Sequence, residues 1–141
     1  MAAASQVRDC GLARVLLVDD DPTSRLTLKT VLETCGYDVE SAASAAEAVG
    51  MLEDSEYALV LSGLQMESHD SGLKVIAHAR MMDYKPATAI LTASYERGGA
   101  PGRSMLVEPQ DVPGLLTKIA NLIGSRASRK VTRELRLQSA N

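Results

Sequence analysis

Asp19, Asp20 and Asp21 stand directly after the apolar run Arg14–Val18 and directly before Pro22. Adjacent carboxylates repel each other and are relieved by a hard cation, and Mg²⁺ takes oxygen ligands while keeping several waters. Asp19 and Asp20 are therefore a candidate metal site. The bland reading of the same residues is a helix start, with Asp21 as cap and Pro22 as first helical residue. Three other polar segments also follow apolar runs: Ser62–Met66 after Tyr57–Leu61, Thr92 after Thr88–Leu91, and Glu108 after Met105–Val107. If the runs are parallel strands, all four sets gather at the carboxyl ends, where an open α/β sheet places its crevice. Other candidates carry less chemistry. His69 and Asp70 have the types of a base and its orienter, but no Ser or Cys nucleophile is evidently paired with them. The stretch Gly98–Ser104 has the glycine content of a phosphate loop, yet it leads into a strand, so the amide cradle of a helix N-terminus is absent. His78, between Ala77 and Ala79, reads as a partly exposed helix residue away from the crevice.

The elements that must position these residues follow from periodicity. Arg14–Val18 is short, branched and apolar, as a strand buried on both faces requires. Leu28, Val31, Leu32 and Cys35 recur at helical spacing until Gly36. Tyr37–Ala42 is a second strand. Ser44 and Glu47 then form a capping box ahead of Ala45, Ala48, Val49 and Leu52. Tyr57–Leu61 is a third strand, and Leu73, Ile76, Ala77 and Arg80 build a helix over Gly72–Asp83. Thr88–Leu91 and Met105–Val107 are strands four and five. A last helix, capped by Asp111, carries Leu115, Leu116, Ile119, Leu122 and Ile123 and stops at Gly124. Strands alternating with helices imply a parallel sheet covered on both sides. One connection breaks the pattern, because Ser94–Ser104 holds three glycines and a proline. A helix with two connections would need about 14 to 22 residues. The fourth helix is therefore expected to be missing or shortened. Its loss would uncover Ile90, Leu91, Leu106 and Val107, to be covered by the apolar stripe Ala127, Val131 and Leu135 of the tail, or by a second subunit or a partner protein docking on that flank; self-association, a homodimer, is the preferred reading.

The chain has 141 residues, 45% of them hydrophobic, and a net charge of −3. That fits one domain over residues 14–124, an N-terminal tail over 1–13, and a basic tail or helix extension over 125–141. No apolar run reaches the roughly 18 to 20 residues of a membrane span, and Met1–Asp9 lacks the layout of a signal peptide, so a cytoplasmic protein is expected. Cys10 and Cys35 read as free thiols. The tail carries Arg126, Arg129, Lys130, Arg133 and Arg136 against Glu134, which leaves the rest of the chain acidic. Acidity and the lack of Phe and Trp argue against nucleic acid as a partner.

The segments VLLVDDDP (15–22), YALVLSGLQM (57–66), AILTAS (89–94) and MLVEP (105–109) together resemble the four signature segments of response-regulator receiver domains. The likeness spans roughly Arg14 to Gly124. It implies an α/β, flavodoxin-like, doubly wound five-stranded parallel sheet. It also implies that Asp19 and Asp20 bind Mg²⁺ and that Thr92 is the hydroxyl that contacts the phosphoryl group. Two positions depart from the family. Its phosphoryl-accepting aspartate corresponds to Gly63, which has no nucleophile, and its lysine before proline corresponds to Glu108, which reverses the sign. A carboxylate about 4 Å from a phosphoryl oxygen would repel it by roughly 4 kcal/mol at an effective dielectric near 20. Met105 stands where the family has a switching aromatic, and Met66-Glu67 where it has Met-Pro.

The resemblance therefore implies a degenerate receiver in bacterial two-component or phosphorelay signalling. Such a chain would be a phosphorylation-independent protein-interaction module and not an enzyme, with no cofactor or weakly bound Mg²⁺. Its partner would be a signalling protein or histidine kinase. The alternatives are a conventional phospho-switch with an unrecognised acceptor, and a small-molecule-binding module on the same fold. A missing GxGxxG turn after the first strand counts against the last.

Overall fold

The computed structural model of the chain describes residues 13–63, 66, 70–91, 105–107 and 112–139. The elements run β1 (Arg14–Val18), α1 (Pro22–Thr34), β2 (Asp38–Ala42), α2 (Ala45–Asp54), β3 (Leu59–Gly63), α3 (Ser71–Met81), β4 (Ala87–Leu91), β5 (Met105–Val107) and α4 (Val112–Ser139). The strands form one sheet in the order β2-β1-β3-β4-β5, and every neighbouring pair is parallel. Parallel neighbours need crossovers, and the crossover helices cover both faces. Val15 and Leu17 of β1 enter one core with Leu28 and Leu32 of α1 and Leu115 and Ile119 of α4. Leu16 and Val18 enter the other with Ala48 and Leu52 of α2 and Val75, Ile76 and Ala79 of α3. This is the doubly wound α/β arrangement.

Local chemistry sets the boundaries. Asp21 caps α1 by accepting from the Ser24 N–H at 3.0 Å, ahead of Pro22. Gly36, with φ 102°, turns the chain out of α1 in a left-handed conformation that residues with a Cβ rarely adopt. Ser44 accepts from the Glu47 N–H at 3.1 Å, while Glu47 reaches back to accept from the Ala43 N–H at 2.8 Å.

Several expectations are corrected. The third strand lies at Leu59–Gly63, two residues further on than the apolar run suggests. It can include Ser62 because that buried hydroxyl donates to the Gly63 carbonyl at 3.0 Å, which satisfies it inside the sheet. Cys35 caps the end of α1 and is exposed, not part of the apolar stripe. The flank of β4 is not bare: Leu91 packs in the core that includes α4, and Ile90 in the core that includes α3. Among the described residues the expected apolar stripe of the tail covers no flank, since Val131 is 53% and Leu135 57% exposed. The connection over 92–104, where the shortened helix was expected, and the proposed cap Asp111 lie outside the described residues, as does Cys10.

Gly124 does not end the last helix, which continues to Ser139 over 28 residues. No left-handed turn is imposed there, and a Cβ at Gly124 would meet nothing within 4 Å. Past the glycine, the Arg126 guanidinium donates to the carbonyls of Lys85 at 2.9 Å and Tyr84 at 2.8 Å. That contact ties the extension to the loop between α3 and β4. Gly124→Ala should therefore stabilise the protein by about 0.5 to 1 kcal/mol, because alanine loses less backbone entropy in a helix interior. Urea denaturation measures this; unchanged or lowered stability would mean that the helix bends or breaks at Gly124.

Candidate functional site

The register brings the strand ends to one edge. Val18 aligns with Ala42 and Ser62, Gly63 with Leu91, and Leu91 with Val107. Asp19 is the first residue beyond β1. Its N–H donates to the Ala42 carbonyl at 3.1 Å, and its own carbonyl accepts from Arg25 at 2.7 Å. Its carboxylate accepts from the Asp21 N–H at 3.0 Å. Asp19 is thus held from three directions and half-buried. Burial raises its pKa above the ordinary carboxylate value, and the charges of Asp20 and Asp21 push the same way; the Asp21 amide and Arg25 oppose them. Asp20 beside it is exposed. Asp21 is drawn the other way, its pKa lowered by its hydrogen bonds with Ser24.

Gly63 ends β3 beside this pair. A Cβ built there would lie 3.5 Å from Cγ and 3.8 Å from Sδ of Met66, and 3.8 Å from the Val18 carbonyl. These are ordinary contacts, so the backbone admits a side chain, and Met66 fills the space beyond it. Met66 is held in place by its N–H, which donates to Ser71 Oγ at 3.0 Å. Ser71 is buried at the start of α3. Sequence reasoning passed over Ser71, although a serine opening an apolar helix is a recognisable capping signal.

The structure brings Asp19, Asp20 and Gly63 to one edge as expected. Thr92, Glu108 and His69 lie outside the described residues. His78 lies on the side of α3 that meets α2, partly exposed, with Nε2 3.1 Å from a Glu53 carboxylate oxygen, away from the carboxyl edge. Among the described residues no group of three or more His, Cys, Asp or Glu side chains converges to hold a metal ion. The donors near Asp19 are thus two carboxylates, one with an oxygen already occupied by the Asp21 amide. Among the described residues no helix is long and apolar enough to cross a membrane.

The profile of the response regulator receiver domain matches residues 15–100. The transcriptional regulatory protein GlrR of Escherichia coli is 35% identical over 106 residues, covering 75% of this chain and 23% of its own length. The chain spans under a quarter of the length of the curated relatives it matches. The response regulator TrrA of Thermotoga maritima, solved with Mg²⁺ and BeF, superposes with a TM-score of 0.69 at 27% identity over 79% of this chain and 99% of that one. PhyR of Brucella abortus gives 0.70 at 21% identity, over 95% and 58%.

The raised pKa of Asp19 has a consequence for stability. An acid whose folded pKa lies above its unfolded value destabilises the fold when ionised, and the penalty disappears as the pH falls through the unfolded value. Asp19→Asn keeps an oxygen for the Asp21 amide and removes the charge. It should raise stability at neutral pH by at most about 0.5 kcal/mol, the scale of a partly exposed site. Thermal melts of both proteins between neutral and acid pH measure the difference. It should shrink toward zero in acid, and a difference that grows on acidification would contradict the assigned shift.

Proposed function

The chain belongs to the response-regulator receiver family, and on that premise we propose that it is a receiver of two-component signalling that acts without being phosphorylated. It is a protein-interaction module of the cytoplasm and not an enzyme. Its partner is a signalling protein such as a histidine kinase or a component of the same relay. The observation that carries the reading is Gly63 at the end of β3, which offers no carboxylate and has the Met66 side chain 3.5 Å from where a Cβ would stand. An acyl phosphate needs a carboxylate nucleophile and cations around the developing charge. Gly63 supplies no nucleophile, and the sequence places Glu108 where the family has its lysine.

The rival acceptors fare worse. The Ser62 hydroxyl is buried and already donates to the Gly63 carbonyl. A small-molecule phosphate at the start of α1 would meet the Asp21 carboxylate, which occupies the helix N-terminus itself. Where Mg²⁺ binds, Asp19 and Asp20 hold it with water completing its shell, and it relieves their mutual repulsion. Two carboxylates make such a site weak.

Two measurements test this reading. Intact-mass spectrometry after incubation with acetyl phosphate and Mg²⁺ should find the unaltered mass, and a gain of one phosphoryl group would sink the proposal. Titration with Mg²⁺ should find binding tightened by roughly tenfold or more in Gly63→Asp, because a third carboxylate joins the site. Phosphorylation should then also require Glu108→Lys. Equal Mg²⁺ affinity in the unaltered protein and in Gly63→Asp would refute the missing-ligand argument.

A further inference from the structure

The amino-terminal edge of the sheet, opposite the carboxylates, carries two adjoining surfaces of opposite charge. One is a groove between the end of α2 and the end of α3, with Asp54, Glu56 and Asp83 in its lining. The other is a cleft of about 340 Å³ where α4 leaves the domain, lined by Asp83, Tyr84, Lys85, Arg126, Arg129 and Arg133. Asp83 and Tyr84 belong to both and mark their boundary.

The three arginines come from one face of the helix, because residues 126, 129 and 133 lie within about 60° of one another at 3.6 residues per turn. The same face carries Leu115, Ile119 and Leu122 where the helix packs on the core, and cations replace them once it passes the edge of the domain. The cleft is thus a corner between the helix and the loop after α3. Arg126 closes its inner end by donating to the carbonyls of Lys85 and Tyr84, and Lys85 Nζ donates to the Arg80 carbonyl at 3.0 Å. Arg129 and Arg133 are exposed, and among the described residues neither makes an ion pair. They stand one turn apart, where like charges repel and a shared anion relieves them.

The acidic groove next to the cleft decides the size of that anion. A long polyanion such as a nucleic-acid duplex would run on across Asp54, Glu56 and Asp83 and be repelled, whereas a compact one stays within the corner. The cleft's volume is at the lower end of the roughly 300 to 1,000 Å³ of small-ligand sites. Guanidinium groups take phosphoryl oxygens through paired, parallel hydrogen bonds. A diphosphate group offers two adjoining phosphoryl groups, one for each unpaired arginine, and enough negative charge to offset both. We propose that this cleft binds a diphosphate group, free or carried by a nucleotide, with Arg129 and Arg133 each holding one phosphoryl group and Lys85 adding charge from the loop. The bound anion joins the loop to the helical extension and stiffens the angle at which α4 leaves the domain. This site goes beyond the interaction-module reading and does not depend on the state of Gly63.

Calorimetric titration of the full chain at about 0.1 M salt, with inorganic pyrophosphate and with ADP, tests the assignment. Binding should saturate at one anion per chain. Arg129→Gln with Arg133→Gln should weaken it by roughly tenfold or more, through the loss of two charge-assisted contacts. Arg136→Gln changes the next arginine along the helix, outside the cleft, and should leave the affinity within about twofold. Asp83→Asn should tighten binding, because a like charge leaves the wall. All four positions are exposed, and circular dichroism verifies that each variant is folded. Tighter binding of ADP than of pyrophosphate assigns the diphosphate to a nucleotide, and equal binding assigns it to the free anion. The proposal is overturned by the lack of saturable binding, by inorganic phosphate binding as tightly as pyrophosphate, or by a loss in Arg136→Gln as large as in the double variant. A duplex oligonucleotide that binds more tightly than either probe overturns it as well.

Discussion

Val15, Leu16, Leu17 and Val18 alternate between two separate cores and are fully buried in both. A strand without a solvent face can only lie inside a sheet covered by helices on both sides, and such a sheet is most simply parallel. Parallel pairing forces every strand to point the same way, so every strand ends on the same edge. Among the described residues, Asp19, Asp20 and Gly63 are brought to one edge for that reason. Asp19 meets the end of β2 through the Ala42 carbonyl, and Gly63 comes beside the end of β1, where a Cβ would lie 3.8 Å from the Val18 carbonyl.

At that edge, two carboxylates sit against an uncharged strand end. Asp19 is desolvated, crowded by its acidic neighbours, and only partly compensated by Arg25 and the Asp21 amide. The ionised form is therefore maintained at a cost that a third carboxylate would increase and a cation would relieve. Met66, held by buried Ser71, makes the neighbouring position apolar instead. The strand end beside Asp19 is thereby uncharged and lined by a thioether.

The opposite edge is governed by one arginine. Arg126 satisfies two loop carbonyls that follow α3, including that of Lys85, whose φ of 47° turns the chain sharply toward β4. The same bonds fix the direction in which α4 leaves the domain, so residues beyond it stand away from the core. Their apolar side chains are exposed because the helix is anchored at its base and not along its length.

The sequence by itself determined the alternation of strands and helices, because apolar periods of about two and about 3.6 and the capping residues Asp21 and Ser44 are local properties of the chain. It also determined which residue types follow each strand, and hence the lack of an acid at Gly63. It misjudged β3, since a serine inside a strand is tolerated only when the neighbouring backbone satisfies it. It misjudged Gly124 as well, because a glycine stops a helix only where the chain must turn, and the Arg126 contact lies 41 residues from Lys85 in sequence. The covering of Ile90 by the α3 core and of Leu91 by the α4 core, and the meeting of an acidic groove with a basic cleft at Asp83 and Tyr84, depend on contacts between distant segments. Only the tertiary structure could decide them, because the sheet order β2-β1-β3-β4-β5 sets which helices become neighbours, and no local pattern encodes that order.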